Sequence, residues 1–110
     1  MNKVVIVSAQ RTPVGKFRGR LSNYSAVELG TAALKSAINK IQLDPKDIEN
    51  VIFGNVVQAG TGQNAARQIA VNAGLPYETP GMTVNEVCGS GLKSIILGKQ
   101  LIQLGEANVV

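Results

Sequence analysis

The chain alternates between short apolar runs and longer segments in which apolar residues recur with helical spacing. Two runs rich in β-branched residues, 3–9 and 51–57, lack a helical period and predict buried strands. A third strand is predicted over 82–87, and residues 108–110 are predicted to begin a fourth. Because these residues carry no charged or turn-forming terminator, we expect the natural chain to continue beyond residue 110.

Three helices are predicted between these strands. Ser25 and Glu28 form an S-x-x-E capping box, and the apolar spacing that follows predicts an amphipathic helix of about four turns. Segment 64–73 has a face of small residues and is followed by Gly74, a typical helix terminator. Apolar residues surround the third helix, 92–104, on all sides, so we expect it to be buried.

The predicted order β-α-β-α-β-α-β indicates an α/β fold with a mostly parallel sheet covered by helices. A length of 110 residues corresponds to one domain or less. A hydrophobic fraction of 45% with 16% charged residues is typical of a chain that folds.

The net charge of +4 comes largely from a basic cluster within residues 11–20. This cluster matches no groove-binding motif, so a solvated loop or a phosphate-bearing small ligand is favoured over a nucleic acid. The first residues lack the features of a signal peptide, and a single cysteine cannot form an internal disulfide. We therefore expect a cytoplasmic protein, and the absence of a long apolar run predicts no membrane span.

Cys88 is the candidate catalytic residue. A lone cysteine is often an inert core residue, but this one lies where a predicted strand ends and a predicted helix begins. The helix dipole would favour thiolate over thiol there. The following Gly89, Ser90 and Gly91 would leave room for a substrate carbonyl and let backbone N–H groups stabilise an oxyanion, so they are candidate substrate-binding residues.

Other interpretations of this segment stay open. The G-S-G sequence could begin a phosphate-binding helix, although it lacks the P-loop lysine, or it could simply permit close packing of a helix on a sheet. The chain contains no histidine, so a base for the thiol would have to come from elsewhere. No metal site is predicted.

Four segments resemble motifs of the thiolase family, in the family's order and spacing. Segment 84–94, VNEVCGSGLKS, is similar to the signature around the acyl-accepting cysteine. Segments 11–17, 54–56 and 62–68 resemble the first-loop motif, the second strand and the start of the second helix. The resemblance extends over essentially all 110 residues.

The resemblance implies a fold of two similar halves, each a five-stranded mixed sheet covered by helices. Residues 1–110 would be the amino-terminal part of the first half, without the loop insertion that holds coenzyme A and without the second half. A histidine in a G-H-P motif, a second cysteine in C-G-G and an asparagine in N-E-A-F would all follow residue 110. The chain alone is therefore expected to be inactive.

The activity that the resemblance implies is the Claisen condensation of two acetyl-CoA molecules to acetoacetyl-CoA and coenzyme A, and its reversal by thiolysis. Cys88 would carry the acyl group, with its backbone N–H in the oxyanion hole, and coenzyme A thioesters would be substrates, with no separate cofactor. Such enzymes belong to lipid metabolism, including the mevalonate pathway. A related condensing enzyme, such as a ketoacyl synthase or hydroxymethylglutaryl-CoA synthase, and a non-catalytic interaction domain are the alternatives.

The resemblance also implies a homo-oligomer, at least a dimer, in which the third strands of two subunits meet across a two-fold axis. The candidate interface residues are Met82, Val84 and Glu86. Glu86 is interpreted as a structural or interface carboxylate rather than a general base. Arg67 is interpreted as an anchor for a loop or a subunit contact rather than a substrate ligand.

Overall fold

The order of helices and strands confirms the α/β class. The computed structural model describes residues 2–110, and these contain three helices and a two-stranded parallel sheet. In chain order the elements are α1 (Ala26–Lys40), β1 (Val51–Gly54), α2 (Ala65–Asn72), β2 (Gly81–Val84) and α3 (Ser90–Gln103), with a 3₁₀ turn at Pro45–Asp47. No helix of residues 2–110 is long and apolar enough to span a membrane.

The sheet separates α3 from the other two helices. β1 and β2 run parallel, with Val51 opposite Gly81 and Gly54 opposite Val84. Side chains alternate between the two faces of a strand, so Val51 and Phe53 point to one face and Gly54 to the other. Val51 and Phe53 pack with residues of α1 and α2, whereas Gly54 contacts the start of α3.

The core lies where α1 and α2 cover this sheet face. Ile38, Val51 and Ala70 belong to one buried cluster, and Val27 and Ile69 belong to a second. Small side chains let α2 approach the sheet closely. A Cβ built on Gly81 would lie 3.0 Å from the Arg67 backbone nitrogen, so a larger residue would not fit there without a shift.

The predicted helix ends are confirmed. The Ser25 hydroxyl accepts a 3.1 Å bond from the Glu28 amide, and the Glu28 carboxylate accepts a 2.8 Å bond from the Ser25 amide. Gly74 has φ +88° directly after α2 and its cap, a conformation that favours glycine. These local signals fix the start of α1 and the end of α2.

The prediction of a strand over 3–9 was wrong. Val5, Ile6 and Val7 are 63%, 75% and 64% exposed, and within residues 2–110 the sheet contains only β1 and β2. Instead, the Ser8 hydroxyl donates a 2.8 Å bond to the Ala37 carbonyl on α1. An open, mostly apolar groove of about 670 Å³ separates this segment from β1 and α3. A β-branched run becomes a strand only when a neighbouring strand supplies hydrogen-bond partners.

The remaining strands are shorter than predicted, and α3 is less buried. β1 ends at Gly54 and β2 at Val84, and residues 108–110 form no strand, although the Val109 carbonyl accepts a 3.0 Å bond from the Glu49 amide. On α3, Leu92 is 66% exposed. Among residues 2–110, α3 packs on one side only, against the sheet, so its opposite side stays open.

Candidate active site

The loop 85–89 joins the end of β2 to the start of α3 and carries the only cysteine of the chain. Cys88 is an exposed free thiol, two residues before Ser90, the first residue of α3. The thiol therefore lies at a helix N-terminus, where the sequence pattern predicted it. Its role as nucleophile stays a prediction.

The loop makes a sharp turn directly before the cysteine. Val87 has φ +53°, a left-handed conformation that is rare for a β-branched residue. The Asn85 side-chain oxygen accepts a 2.9 Å bond from the Val87 amide, and the Gly89 amide donates a 3.1 Å bond to the Glu86 carbonyl. These bonds bend the chain by local side-chain and backbone contacts rather than by strand pairing.

Ser90 closes the same loop from the helix side. Its hydroxyl accepts a 2.9 Å bond from the Glu86 amide and donates a 2.6 Å bond to the Val87 carbonyl. The residue is only 3% exposed. The single O–H donor of Ser90 is therefore already used by the loop, and a substrate acceptor could bind this hydroxyl only by displacing the Val87 carbonyl.

The start of α3 can stabilise negative charge beside the thiol. The helix has no side-chain cap and no acidic residue in its first turn. Among residues 2–110, the amides of Cys88, Gly91 and Leu92 meet no protein acceptor. Free amides and the positive end of a helix dipole together stabilise a negatively charged oxygen. Such an oxygen forms in the tetrahedral intermediate of acyl transfer.

The glycines on either side of Ser90 leave the approach to this helix end open. A Cβ on Gly91 would meet no atom within 4 Å, and a Cβ on Gly89 would meet only the Glu86 carbonyl oxygen, at 3.5 Å. A carbonyl carbon could therefore reach the thiol without displacing side chains. The loop thus combines an exposed thiol, free N–H donors and open space, an arrangement that could support acyl transfer.

Comparison with known proteins identifies the family of this chain. The profile of the thiolase N-terminal domain matches residues 4–110. The chain belongs to the thiolase family. Acetyl-CoA acetyltransferase of Cupriavidus necator is 50% identical to this thiolase chain over 110 residues, which are 100% of this chain and 28% of that protein. The cytosolic acetyl-CoA acetyltransferase of Gibberella zeae is 51% identical over 107 residues, 97% of this chain and 27% of that protein.

A solved thiolase shares the fold. The structure of Acat5 thiolase from Ascaris suum in complex with coenzyme A superposes with a TM-score of 0.89 and 46% sequence identity. The superposition covers 91% of this chain and 26% of that one. The thiolase chain described here therefore spans about a quarter of the length of its relatives.

The structure places two of the three predicted interface residues on β2. Met82 is 41% exposed, and it shares with Val84 the sheet face that α3 covers. Glu86 lies beyond the strand, in the loop, so its predicted place within a strand was wrong. The Glu86 carboxylate lies 3.5 Å from the Lys93 ammonium, with more than half of the Glu86 side chain exposed. An interface through this thiolase strand stays a prediction.

Arg67 has structural contacts, in agreement with its interpretation as the anchor of a loop. The Arg67 guanidinium donates bonds of 2.8 Å to the Thr79 carbonyl and 2.9 Å to the Tyr77 carbonyl, and so holds the segment that leads into β2. In the basic cluster, the exposed Arg18 lies over the Phe17 ring, 5.3 Å from its centroid.

Sequence reasoning missed two positions that support the thiolase loop. A Cβ on Gly54 would lie only 2.6 Å from both the Ser90 carbonyl oxygen and the Gly91 nitrogen. A glycine that interrupts an apolar strand pattern signals such a close backbone approach. The second is Asn85, a common turn former, which was assigned to the strand because of its apolar neighbours.

Proposed function

We propose that the protein containing this chain is an acyl-CoA acyltransferase that condenses two acetyl-CoA molecules to acetoacetyl-CoA and coenzyme A, and catalyses the reverse thiolysis. The observation that carries the proposal is the exposed Cys88 thiol at the uncapped start of α3, beside amides that have no acceptor within residues 2–110. The names of the relatives, acetyl-CoA acetyltransferases, and the coenzyme A complex of the Ascaris suum thiolase support the substrate class.

In the proposed mechanism the Cys88 sulfur, having lost its proton to a base, attacks the thioester carbonyl of one acetyl-CoA. The amides at the start of α3 stabilise the resulting oxyanion. Collapse of this intermediate breaks the bond to the coenzyme A sulfur, which leaves as a thiol after protonation. Cys88 then carries the acetyl group as a thioester.

The second half of the reaction uses the acetyl-cysteine as an electrophile. A second acetyl-CoA loses a proton from its α-carbon, and the carbanion attacks the acetyl carbonyl, which forms the new carbon–carbon bond. The bond to the Cys88 sulfur breaks and acetoacetyl-CoA leaves. The proposal includes no cofactor beyond these coenzyme A thioesters.

We propose that the general base comes from outside this chain. The 110 residues include no histidine and one cysteine, and the Glu86 carboxylate is engaged by Lys93. We therefore expect residues 1–110 alone to form no acetoacetyl-CoA.

The direct test is a chimera in which residues 1–110 replace the matching part of the Cupriavidus necator acetyltransferase. After incubation with acetyl-CoA and rapid acid quenching, mass spectrometry of the digest should find the acetyl group on the peptide that contains Cys88. The matched variant Cys88→Ala should keep the far-ultraviolet spectrum and lose turnover, since the replacement removes one sulfur atom from an exposed turn. An active chimera acetylated only at other positions would contradict the proposal.

We also propose that the protein acts in the cytoplasm in lipid metabolism, including the mevalonate pathway, and that it forms at least a dimer through β2. The Gibberella zeae relative named as cytosolic supports the location, although a Danio rerio relative, 48% identical, is named as mitochondrial. Fractionation of cells that express the tagged protein would test this, and recovery with mitochondria would contradict it.

A further inference from the structure

Ser90 is the buried polar residue closest in sequence to Cys88, and both hydrogen bonds of its side chain return to the cysteine loop. The hydroxyl accepts from the Glu86 amide and donates to the Val87 carbonyl, at 2.9 and 2.6 Å. These two hydrogen bonds, together with the main chain from Glu86 to Ser90, form a closed ring. Ser90 is 3% exposed and its hydroxyl donates to and accepts from the protein, so the hydroxyl is directed inward, away from an incoming substrate.

The ring holds a conformation that the sequence does not favour. Val87 has φ +53°, a strained conformation for a β-branched residue, and such a conformation persists only where its surroundings impose it. The Val87 carbonyl accepts from the Ser90 hydroxyl and also, at 3.2 Å, from the Ser90 amide. Ser90 thus supplies two bonds to the peptide group that joins Val87 to Cys88.

Ser90 is itself held by the sheet. The Gly54 main chain leaves no room for a Cβ between β1 and the Ser90 carbonyl, so the first turn of α3 rests directly on the strand. Ser90 therefore cannot move toward the sheet. Its hydroxyl holds Glu86 and Val87 of the loop at a fixed distance from this helix end.

We propose that Ser90 is a positioning residue for the Cys88 nucleophile, which keeps Val87 in the left-handed conformation and thereby holds the thiol at the free amides of α3. This inference rests on the proposed function, and it assigns to Ser90 a role different from a substrate contact. Loss of the hydroxyl should release the turn, and misplacement of a nucleophile by about 1 Å can lower the rate on the order of a hundredfold.

The two roles differ in kinetics. A positioning residue acts on the chemical step, so Ser90→Ala in the chimera should lower kcat by about tenfold to a hundredfold with little change in KM. A substrate contact used equally in the ground and transition states would instead raise KM and leave kcat unchanged. The matched control is Ser94→Ala, because the Ser94 hydroxyl bonds only to the Gly91 carbonyl within the helix, at 2.6 Å.

A second variant tests the mechanism. Asparagine tolerates the left-handed conformation far better than valine, and Val87 is 65% exposed, so Val87→Asn removes no core packing. If Ser90 acts by holding Val87, then Val87→Asn should restore most of the kcat lost in Ser90→Ala. Hydrogen exchange of the peptide containing 85–89 should rise in Ser90→Ala and fall again in the double variant.

Each outcome is decisive. A fall in kcat for Ser90→Ala but not Ser94→Ala, with rescue by Val87→Asn, supports the proposal. An unchanged kcat, a change confined to KM, or a loss that Val87→Asn does not reduce would overturn it. If Ser90→Ala alone does not fold, the double variant Ser90→Ala with Val87→Asn is compared with the parent; a folded double variant that keeps most of kcat supports the role, and a folded one that loses kcat overturns it. Failure of Cys88 to become acetylated in the unmodified chimera would contradict the proposed function instead.

Discussion

The main chain of Gly54 on β1 lies directly against the main chain of Ser90 on α3, so that a Cβ at position 54 would sit 2.6 Å from the Ser90 carbonyl oxygen. The Ser90 oxygen belongs to the backbone, which cannot rotate away as a flexible side chain can. The end of β1 thus sets the distance between the sheet and the first turn of α3, which follows the candidate nucleophile.

Gly54→Ala should therefore damage both folding and activity. The added methyl group must push the first turn of α3 away from the sheet, and overpacking of this kind costs about 1–3 kcal/mol. Urea denaturation of the chimera should show the lower free energy of unfolding, and acetylation of Cys88 should slow. A Gly54→Ala protein as stable and as fast as the parent would show that the helix is free to shift.

Gly91→Ala provides the contrast, because it changes a glycine of the same helix turn in open space. A Cβ there meets nothing within 4 Å, and alanine in a helix is favoured over glycine by about 1 kcal/mol. We expect unchanged or slightly higher stability. The methyl group would however narrow the approach to the thiol, so kcat/KM for acetyl-CoA should fall. Equal stability with undiminished kcat/KM would show that substrate does not pass Gly91.

Arg67→Lys tests the anchor that leads into β2. The guanidinium spans two carbonyls, of Tyr77 and Thr79, and a single ammonium cannot reproduce this fork. Loss of one charge-assisted bond should lower the free energy of unfolding by about 1–2 kcal/mol. The control is Arg20→Lys, at an exposed loop position. Thermal denaturation midpoints of the two variants are compared in the chimera. Equal midpoints would show that the Arg67 guanidinium does not help to position β2.

Much of this architecture follows from local sequence signals. The capping box of Ser25 and Glu28 and the terminator Gly74 act through neighbouring atoms, so the sequence reveals them. The predictions that were wrong depend on contacts with residues far along the chain. Segment 3–9 has the composition of a strand, but whether it pairs depends on residues far along the chain. α3 looks buried by composition, yet Leu92 stays exposed because no element of residues 2–110 covers it.

The candidate site divides in the same way. Cys88 at a strand-to-helix junction can be predicted from the sequence, because the change of pattern falls at that residue. The inward direction of the Ser90 hydroxyl cannot, since it depends on the left-handed turn at Val87 and on contact with Gly54, which lies 36 positions earlier in the chain.

The proposed dimer through β2 calls for a substitution that spares the β1–β2 pairing. The Val84 carbonyl accepts a 3.0 Å bond from the Asn55 amide, so position 84 faces β1 and a proline there would also disturb the pairing inside the subunit. Met82 is the better position, because its side chain is 41% exposed and lies on the strand whose second edge has no strand partner among residues 2–110.

Met82→Lys should weaken association of the chimera. A two-fold contact brings the same residue of both subunits into one patch, so the variant would bury two like charges close together. Val57→Lys is the matched control, since Val57 is 77% exposed and lies outside both strands. Sedimentation velocity over a dilution series should show Met82→Lys dissociating at higher concentration than the parent, with Val57→Lys unchanged. Because the cysteine loop begins one residue after β2, acetoacetyl-CoA formation should fall together with the oligomeric fraction. An intact oligomer with full activity in Met82→Lys would exclude this strand as the interface.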